Sequence, residues 1–186
     1  MLSKPLDDQQ HPLEKFSFCP NCGSSLWVVN NFKSKHCEHC GFTYYANPSS
    51  ATAAFIINDR NELLAVRRKK EPAKGTLDLP GGFVDMDESG EEGVVREVKE
   101  ETGLDITRTR YLFSIPNLYE YSGMGIHTLD MFYQCEVANT IGLQAMDDAE
   151  EALWIPLSTV DPNDFGLRSV RQAVGLFVKK IKTFPI

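Results

Sequence analysis

At 186 residues, with 42% hydrophobic and 10% aromatic content, the chain is long enough for one domain and a small extra module. A net charge of −7 argues against a broad nucleic-acid or anionic-membrane surface, while leaving room for a local basic pocket. No apolar run approaches the ~20 residues of a membrane span and the N-terminus lacks a signal-peptide core, so cytoplasm is the expected compartment.

Residues 1–17 are polar, contain Pro5 and Pro12, show no clear period and read as a lead-in. Two knuckles follow, Cys19-Pro-Asn-Cys22-Gly23 and Cys37-Glu-His-Cys40-Gly41, separated by 14 residues. Each pair brings two thiolates to one point, and four thiolates satisfy tetrahedral Zn²⁺ with no open position, which makes the site structural. Redox pairs are the alternative for Cys-x-x-Cys, but a duplicated motif at this spacing reads as a zinc ribbon. His36 and His39 are bystanders on this reading. Trp27, Val28 and Val29 suggest a strand between the knuckles. Residues 18–45 are too few to fold on their own core, so the metal supplies folding energy.

Ala51 to Ile57 reads as a buried strand, Asn58 to Asn61 as a turn and Glu62 to Arg67 as the return strand of a hairpin. Arg67, Arg68, Lys69 and Lys70 then stand in a row. They read either as a solvated strand end or as contacts to substrate phosphates, with Arg67 and Arg68 the candidates. Pro72, Gly75 and Thr76 mark a loop.

Pro80, Gly81 and Gly82 form a turn, since proline fixes φ and glycine admits positive φ. Acidic residues at Asp85, Asp87 and Glu88 suit the start of a helix. Helix formers continue to Thr102, and Gly103 is the stop. On this helix Glu97, Glu100 and Glu101 fall within roughly 100° of arc, and Val94, Val95 and Val98 supply packing. Three clustered carboxylates either raise their own pKa values or recruit cations, and hard divalent Mg²⁺ or Mn²⁺ fits them best. Arg96 is expected to pair with only one of them. A solvated glutamate face is the alternative, against which the flanking glycines weigh.

Gly82, five residues, Glu88, seven residues, then Arg96-Glu97-Val98-Lys99-Glu100-Glu101-Thr102-Gly103-Leu104 resembles a complete Nudix box. At about 7% per position, a chance match of its seven fixed positions is on the order of 10⁻⁸ per starting point. The resemblance implies an α/β fold, a Nudix α/β/α sandwich with a mixed sheet over residues 46–186, after the four-cysteine zinc ribbon. It implies metal-dependent hydrolysis of a nucleoside diphosphate linked to another moiety, of the ADP-ribose, NADH or dinucleoside polyphosphate class. Metal would be held by Glu97, Glu100, Glu101 and the Gly82 carbonyl, while Glu88 pairs with Arg96 to hold the box in shape. The general base is open among Glu97, Glu100 and a later acidic residue.

A ribbon before such a domain resembles the NADH pyrophosphatase branch of the family. Tyr44-Tyr45-Ala46-Asn47-Pro48 stands where that branch has Tyr-Pro-Arg, and the Arg is missing. Ser114-Ile115-Pro116-Asn117-Leu118-Tyr119-Glu120 stands where it has Ser-Gln-Pro-Trp-Pro-Phe-Pro, and only Ser114 and Pro116 match. These departures point away from NADH as the preferred substrate.

Beyond the box, Arg110 to Ile115 and His127 to Val137 read as strands, joined by a loop from Pro116 to Ile126. Tyr119 and Tyr121 in that loop are candidates to stack on a base. Cys135 reads as an inert core thiol. The acidic run Asp147 to Glu151 precedes a strand from Ala152 to Pro156, and Glu150 and Glu151 are the candidates for an additional metal-binding or base carboxylate. Leu167, Val170, Val174, Phe177 and Ile181 keep a helical period, with Lys179, Lys180 and Lys182 at its C-terminal end. The expected partner is a small nucleotide, with no membrane, and a homodimer is compatible with the chain. Two other functions stay open: a Nudix-fold nucleotide sensor or regulatory module, and a hydrolase of capped RNA 5′ ends.

Overall fold

The computed structural model describes residues 11–183, the side chains of 180–183 apart. The lead-in expected for 1–17 therefore falls partly outside the described residues, as does the side chain of Ile181. The described residues divide into two compact units: 11–48 with 120–126, and 49–119 with 127–183.

In the first unit, β1 (Trp27–Asn31), β2 (Ser34–Cys37) and β3 (Thr43–Tyr45) form an antiparallel sheet in that order. Its core is small: Cys19, Trp27 and Cys37 are buried, and Phe42 stacks on Trp27. So few apolar residues cannot hold a fold unaided.

In the second unit, β4 (Ser49–Ile56) pairs in parallel with β8 (Met124–Val137), which also pairs with β7 (Ile106–Tyr121). β5 (Glu62–Arg68) lies between β6 (Leu77–Asp78) and β9 (Ala149–Pro156), antiparallel to both. The strands are thus mixed in direction, and both faces are covered. Ala53, Phe55, Leu63, Ala65 and Phe132 pack with Val170, Ala173, Val174 and Phe177 of helix α2 (Arg168–Thr183). Ala54, Ile56, Leu64, Tyr133 and Cys135 pack with Val94 and Val98 of helix α1 (Gly90–Thr102). Two-faced burial explains why β4 and β5 read as continuous apolar runs. Val94 and Val98 are wholly buried, each contributing about 1.5–3 kcal/mol.

Three expectations about local structure need correction. The hairpin expected between residues 51–57 and 62–67 is reduced to one bridge, Ile57 with Leu63, after which the strands part into different pairings. The loop expected from Pro116 to Ile126 is mostly strand, closed by Ser122 and Gly123 alone. Both have positive φ, 51° and 68°, the two-residue turn that matches strand twist. The helix expected to open in the acidic stretch from Asp85 opens instead after Ser89. There Ser89 caps the Glu92 amide and Glu92 returns the bond to Ser89 N–H at 2.8 Å, a reciprocal box that satisfies two orphan donors. The expected stop at Gly103 is left-handed, φ 73°, its N–H bonded to Lys99 O.

Candidate functional site

The glycine turn is laid against β4 by three backbone bonds: Ala54 N–H to Pro80 O at 2.8 Å, Thr52 N–H to Gly82 O at 2.8 Å and Val84 N–H to Ser50 O at 3.0 Å. Side chains are excluded here. A Cβ at Gly81 would lie 2.1 Å from Thr52 O, and one at Gly82 would lie 2.6 Å from the Glu97 carboxylate carbon. The turn is therefore a cradle, with the Glu97 carboxylate in the space that a β-carbon at Gly82 would fill and the β4 backbone in the space of one at Gly81.

Glu101 is buried, and its Oε2 accepts the Gly81 N–H at 3.0 Å. Burial pushes its carboxyl up to about 8; the Gly81 amide opposes this, and the charges of Asp78, Glu97 and Asp148 add to it. Glu97 is raised as well, by burial first, with the Arg96 guanidinium pulling it back down. Glu100 is the exposed member, its side chain 47% accessible.

Arg96 does more than pair with one carboxylate, which corrects the expectation. It grips Glu88 with two bonds of 2.9 Å and reaches Glu97 at 2.8 Å, Glu100 at 3.0 Å and Phe83 O at 2.9 Å. Five N–H donors in a planar fork make this feasible where a lysine could not. The paired guanidinium holds Glu88 below the usual carboxylate range. The Gly82 carbonyl already accepts the Thr52 amide, and a second lone pair remains for another partner.

The carboxylates whose charge reaches Glu97 and Glu101 from the later acidic run are Asp147 and Asp148, respectively. Glu150 is exposed on β9 and Glu151 pairs with Arg67 at 3.0 Å. Of the four acids in this run the sequence singles out Glu150 and Glu151. What separates the four is where the strand begins, and β9 begins at Ala149. Arg67 also donates to Gly75 O at 3.0 Å. Arg68 is drawn inward, its Nη1 donating to Asp78 at 2.5 Å and its Nη2 to the Tyr119 hydroxyl at 3.2 Å. Tyr119 meets Phe83 edge-to-face, with centroids 5.7 Å apart. Phe83, which the sequence reading passed over, follows Gly82 directly and is 43% exposed. Tyr121 is exposed, within the hairpin tip that groups with the first unit.

In the first unit the Sγ atoms of Cys19, Cys22, Cys37 and Cys40 lie within 4.8 Å of one another. Cys19 to Cys40 is 3.8 Å and Cys22 to Cys37 is 3.7 Å. Four sulfurs about 2.3 Å from one Zn²⁺ in a tetrahedron are about 3.8 Å apart, so the donor set fits zinc in both chemistry and size. Both knuckles turn on left-handed glycines, Gly23 at φ 73° and Gly41 at φ 78°. Asn21 Nδ2 points at Cys40 Sγ, 3.6 Å away. No helix among the described residues is long and apolar enough to cross a membrane.

The NUDIX domain model matches residues 47–173. An ADP-ribose pyrophosphatase of Methanocaldococcus jannaschii is 37% identical over 121 residues, 64% of this chain and 68% of that one. An NAD-capped RNA hydrolase NudC of Pseudomonas aeruginosa is 24% identical over 163 residues, 88% of this chain and 56% of that one. Among solved structures, a NUDIX hydrolase from Nitrosomonas europaea shares the fold with a TM-score of 0.70 at 18% identity, covering 90% of this chain and 93% of that one. The chain thus spans little more than half the length of the curated NudC relative it matches.

Proposed function

The chain belongs to the Nudix hydrolase family, and on that premise we propose that it hydrolyses a nucleoside diphosphate linked to a second group, with ADP-ribose preferred over NADH. The observation that carries this is the cradle: α1 packs the Glu97 carboxylate against Gly82 and bonds Glu101 to the Gly81 N–H, while Arg96 links Glu97 to Glu100. An all-oxygen, anionic donor set suits a hard divalent cation. Glu97, Glu100 and Glu101 would hold Mg²⁺ or Mn²⁺, with the free lone pair of the Gly82 carbonyl beside them. The ion, when bound, offsets charge on the diphosphate oxygens and acidifies the attacking water.

The remaining work falls to the chain itself. Arg96 and Glu88 fix the helix against the turn, so the carboxylates arrive already oriented and need no reorganisation during reaction. Glu97 and Glu100 are the candidates to take a proton from water, and Asp147 and Asp148 join Glu150 and Glu151 as candidates for the additional carboxylate. Phe83 and Tyr119 offer ring surface beside the turn for the planar part of the substrate.

Preference for ADP-ribose rests on two supports. The archaeal relative bears that activity in its name, and Ile115 to Leu118 replaces the polar and aromatic array of the NADH-cleaving branch. Unfilled partners for the second nucleotide half cost several kcal/mol of discrimination, up to roughly 4 orders of magnitude. A second reading, hydrolysis at NAD-capped RNA ends, is favoured by one observation: the match to the NudC relative extends over 88% of the chain, so it takes in part of the cysteine unit. The deciding experiment is a competition between ADP-ribose, NADH and an NAD-capped oligonucleotide at equal concentration with Mg²⁺ or Mn²⁺, products read by mass spectrometry. Faster formation of NMNH from NADH, or of NMN and a 5′-phosphorylated oligonucleotide from the capped end, than of ribose 5-phosphate from ADP-ribose refutes the preference.

A further inference from the structure

Arg68 follows Arg67 in a basic run that reads as a solvated strand end or a phosphate contact, yet its side chain is only 15% exposed and all three of its nitrogens donate inside the protein. Nη1 donates to Asp78 Oδ2 at 2.5 Å, Nε to Pro72 O at 2.7 Å and Nη2 to the Tyr119 hydroxyl at 3.2 Å. Asp78 is fully engaged too, its other oxygen accepting the Leu79 N–H at 2.9 Å. The guanidinium carbon lies 5.9 Å from the centre of the Tyr119 ring, within cation–π range. Tyr119 in turn meets Phe83 at an interplanar angle of 86°, one of the arrangements that aromatic pairs favour. The chain of contacts therefore runs from a buried acid, through a partly buried arginine, to a phenol, and ends on a half-exposed ring directly after the glycine turn.

Resting on the hydrolase reading above, we propose that Arg68 is a positioning residue: clamped by Asp78, it fixes Tyr119 against Phe83 as a rigid aromatic wall for the planar base of the nucleotide substrate, and it does not bind the phosphates. Two features make the device specific to arginine and aspartate. A planar fork serves an acid, a carbonyl and a phenol in fixed directions, which the rotating ammonium of lysine does not. Only a buried, paired acid can hold that fork in one orientation, because unpairing either member leaves an uncompensated charge in the interior. A wall whose rings are already fixed stacks on a base without first ordering its own side chains.

The test compares two ligands, ADP-ribose and a sugar diphosphate with no base, by calorimetry in the presence of calcium. Three proteins are used: the unmodified chain, Tyr119→Phe, which deletes only the anchored hydroxyl, and the double variant Arg68→Met/Asp78→Asn, which removes both charges together so that neither is stranded. Circular dichroism melts check that each remains folded. Both variants are expected to weaken ADP-ribose binding about fivefold or more, the scale of a compromised aromatic–base stack. Both should leave the base-free ligand within about twofold. Equal weakening of both ligands in the double variant makes Arg68 a phosphate anchor and overturns the proposal, as does unchanged ADP-ribose binding in Tyr119→Phe. Failure of the unmodified chain to bind ADP-ribose also overturns it. The expected shifts in a chain that hydrolyses no diphosphate uphold the wall and refute the hydrolase reading instead.

Discussion

Replacing Gly82 by alanine adds one methyl group where the structure leaves no room for it. The new Cβ would stand 2.6 Å from the Glu97 carboxylate carbon and 2.6 Å and 2.7 Å from its two oxygens, against 3.4–4 Å for ordinary contact. The backbone at Gly82 has no positive φ, so alanine is accepted there and the side chain of Glu97 must yield, by about 0.8 Å or more. A displacement of about 1 Å at a reacting geometry typically costs on the order of 10²-fold in rate. We therefore expect kcat/KM for ADP-ribose to fall by roughly that factor while the midpoint of thermal unfolding moves by no more than about 4 °C. Gly81→Ala is the contrasting case. Its Cβ would strike the Thr52 carbonyl at 2.1 Å from a backbone at φ 151°, and a backbone atom cannot rotate away. That variant should lose roughly 2–4 kcal/mol of stability. Steady-state turnover with Mg²⁺ and calorimetric melting of the two variants decide the matter. Full turnover in Gly82→Ala, or equal loss of stability in both, refutes the idea that the turn is a cradle for Glu97.

The other predictions are briefer. Glu100→Gln removes one charge with little change of shape and should lower turnover by ~10² or more with the fold intact; ordinary turnover in both this variant and Glu101→Gln refutes the metal face. Glu101, pushed up to about 8 in the metal-free protein, keeps its proton at pH 6 and a cation must displace it; affinity for Mg²⁺ should therefore climb about tenfold per pH unit toward 8 and then level, and flat affinity from pH 6 to 8 contradicts this. By the same sign, an acid raised when folded stabilises the metal-free chain fully below the unfolded value of about 4.3 and loses that contribution as pH rises through 8. Elemental analysis should find about one zinc per chain, and Cys37→Ser should lose it and unfold the cysteine unit while residues 49–119 and 127–183 keep their cooperative melt.

Features set by local chemistry were legible in the sequence. The knuckles were visible because cysteine spacing and the glycine after each pair encode the turn directly. The box was visible because its glycines and charged residues recur at a fixed spacing, and Gly82, at its head, lies where a β-carbon would meet Glu97. Non-local pairing was not legible. Glu62 to Arg67 looked like the partner of the strand before it, yet β5 takes β9 as its main neighbour. Tyr, Gly and Pro between Pro116 and Ile126 suggested a loop, because the turn that closes β7 and β8 has serine where asparagine or aspartate is the usual signal. The Ser89–Glu92 capping box was available in the sequence but was masked by the acidic residues upstream. The inward turn of Arg68 could not be read at all, since Asp78 and Tyr119 reach it only after three strands are in place.

The parallel pairing of β4 with β8 has a consequence for synthesis. Ser49 pairs with Thr128 and Ile56 with Cys135, so the strand that supports the glycine turn waits for a neighbour made most of a domain later. The whole Nudix box leaves the ribosome before that neighbour exists. Until then α1 has only part of its seat, and the apolar side chains Ala54 and Ile56 lack Tyr133 and Cys135 as neighbours. Closure over so long an interval is slow, because its loop entropy is lost before any contact repays it. Nascent chains halted before residue 128 should therefore depend on holdase chaperones, whereas chains released beyond β9 should not.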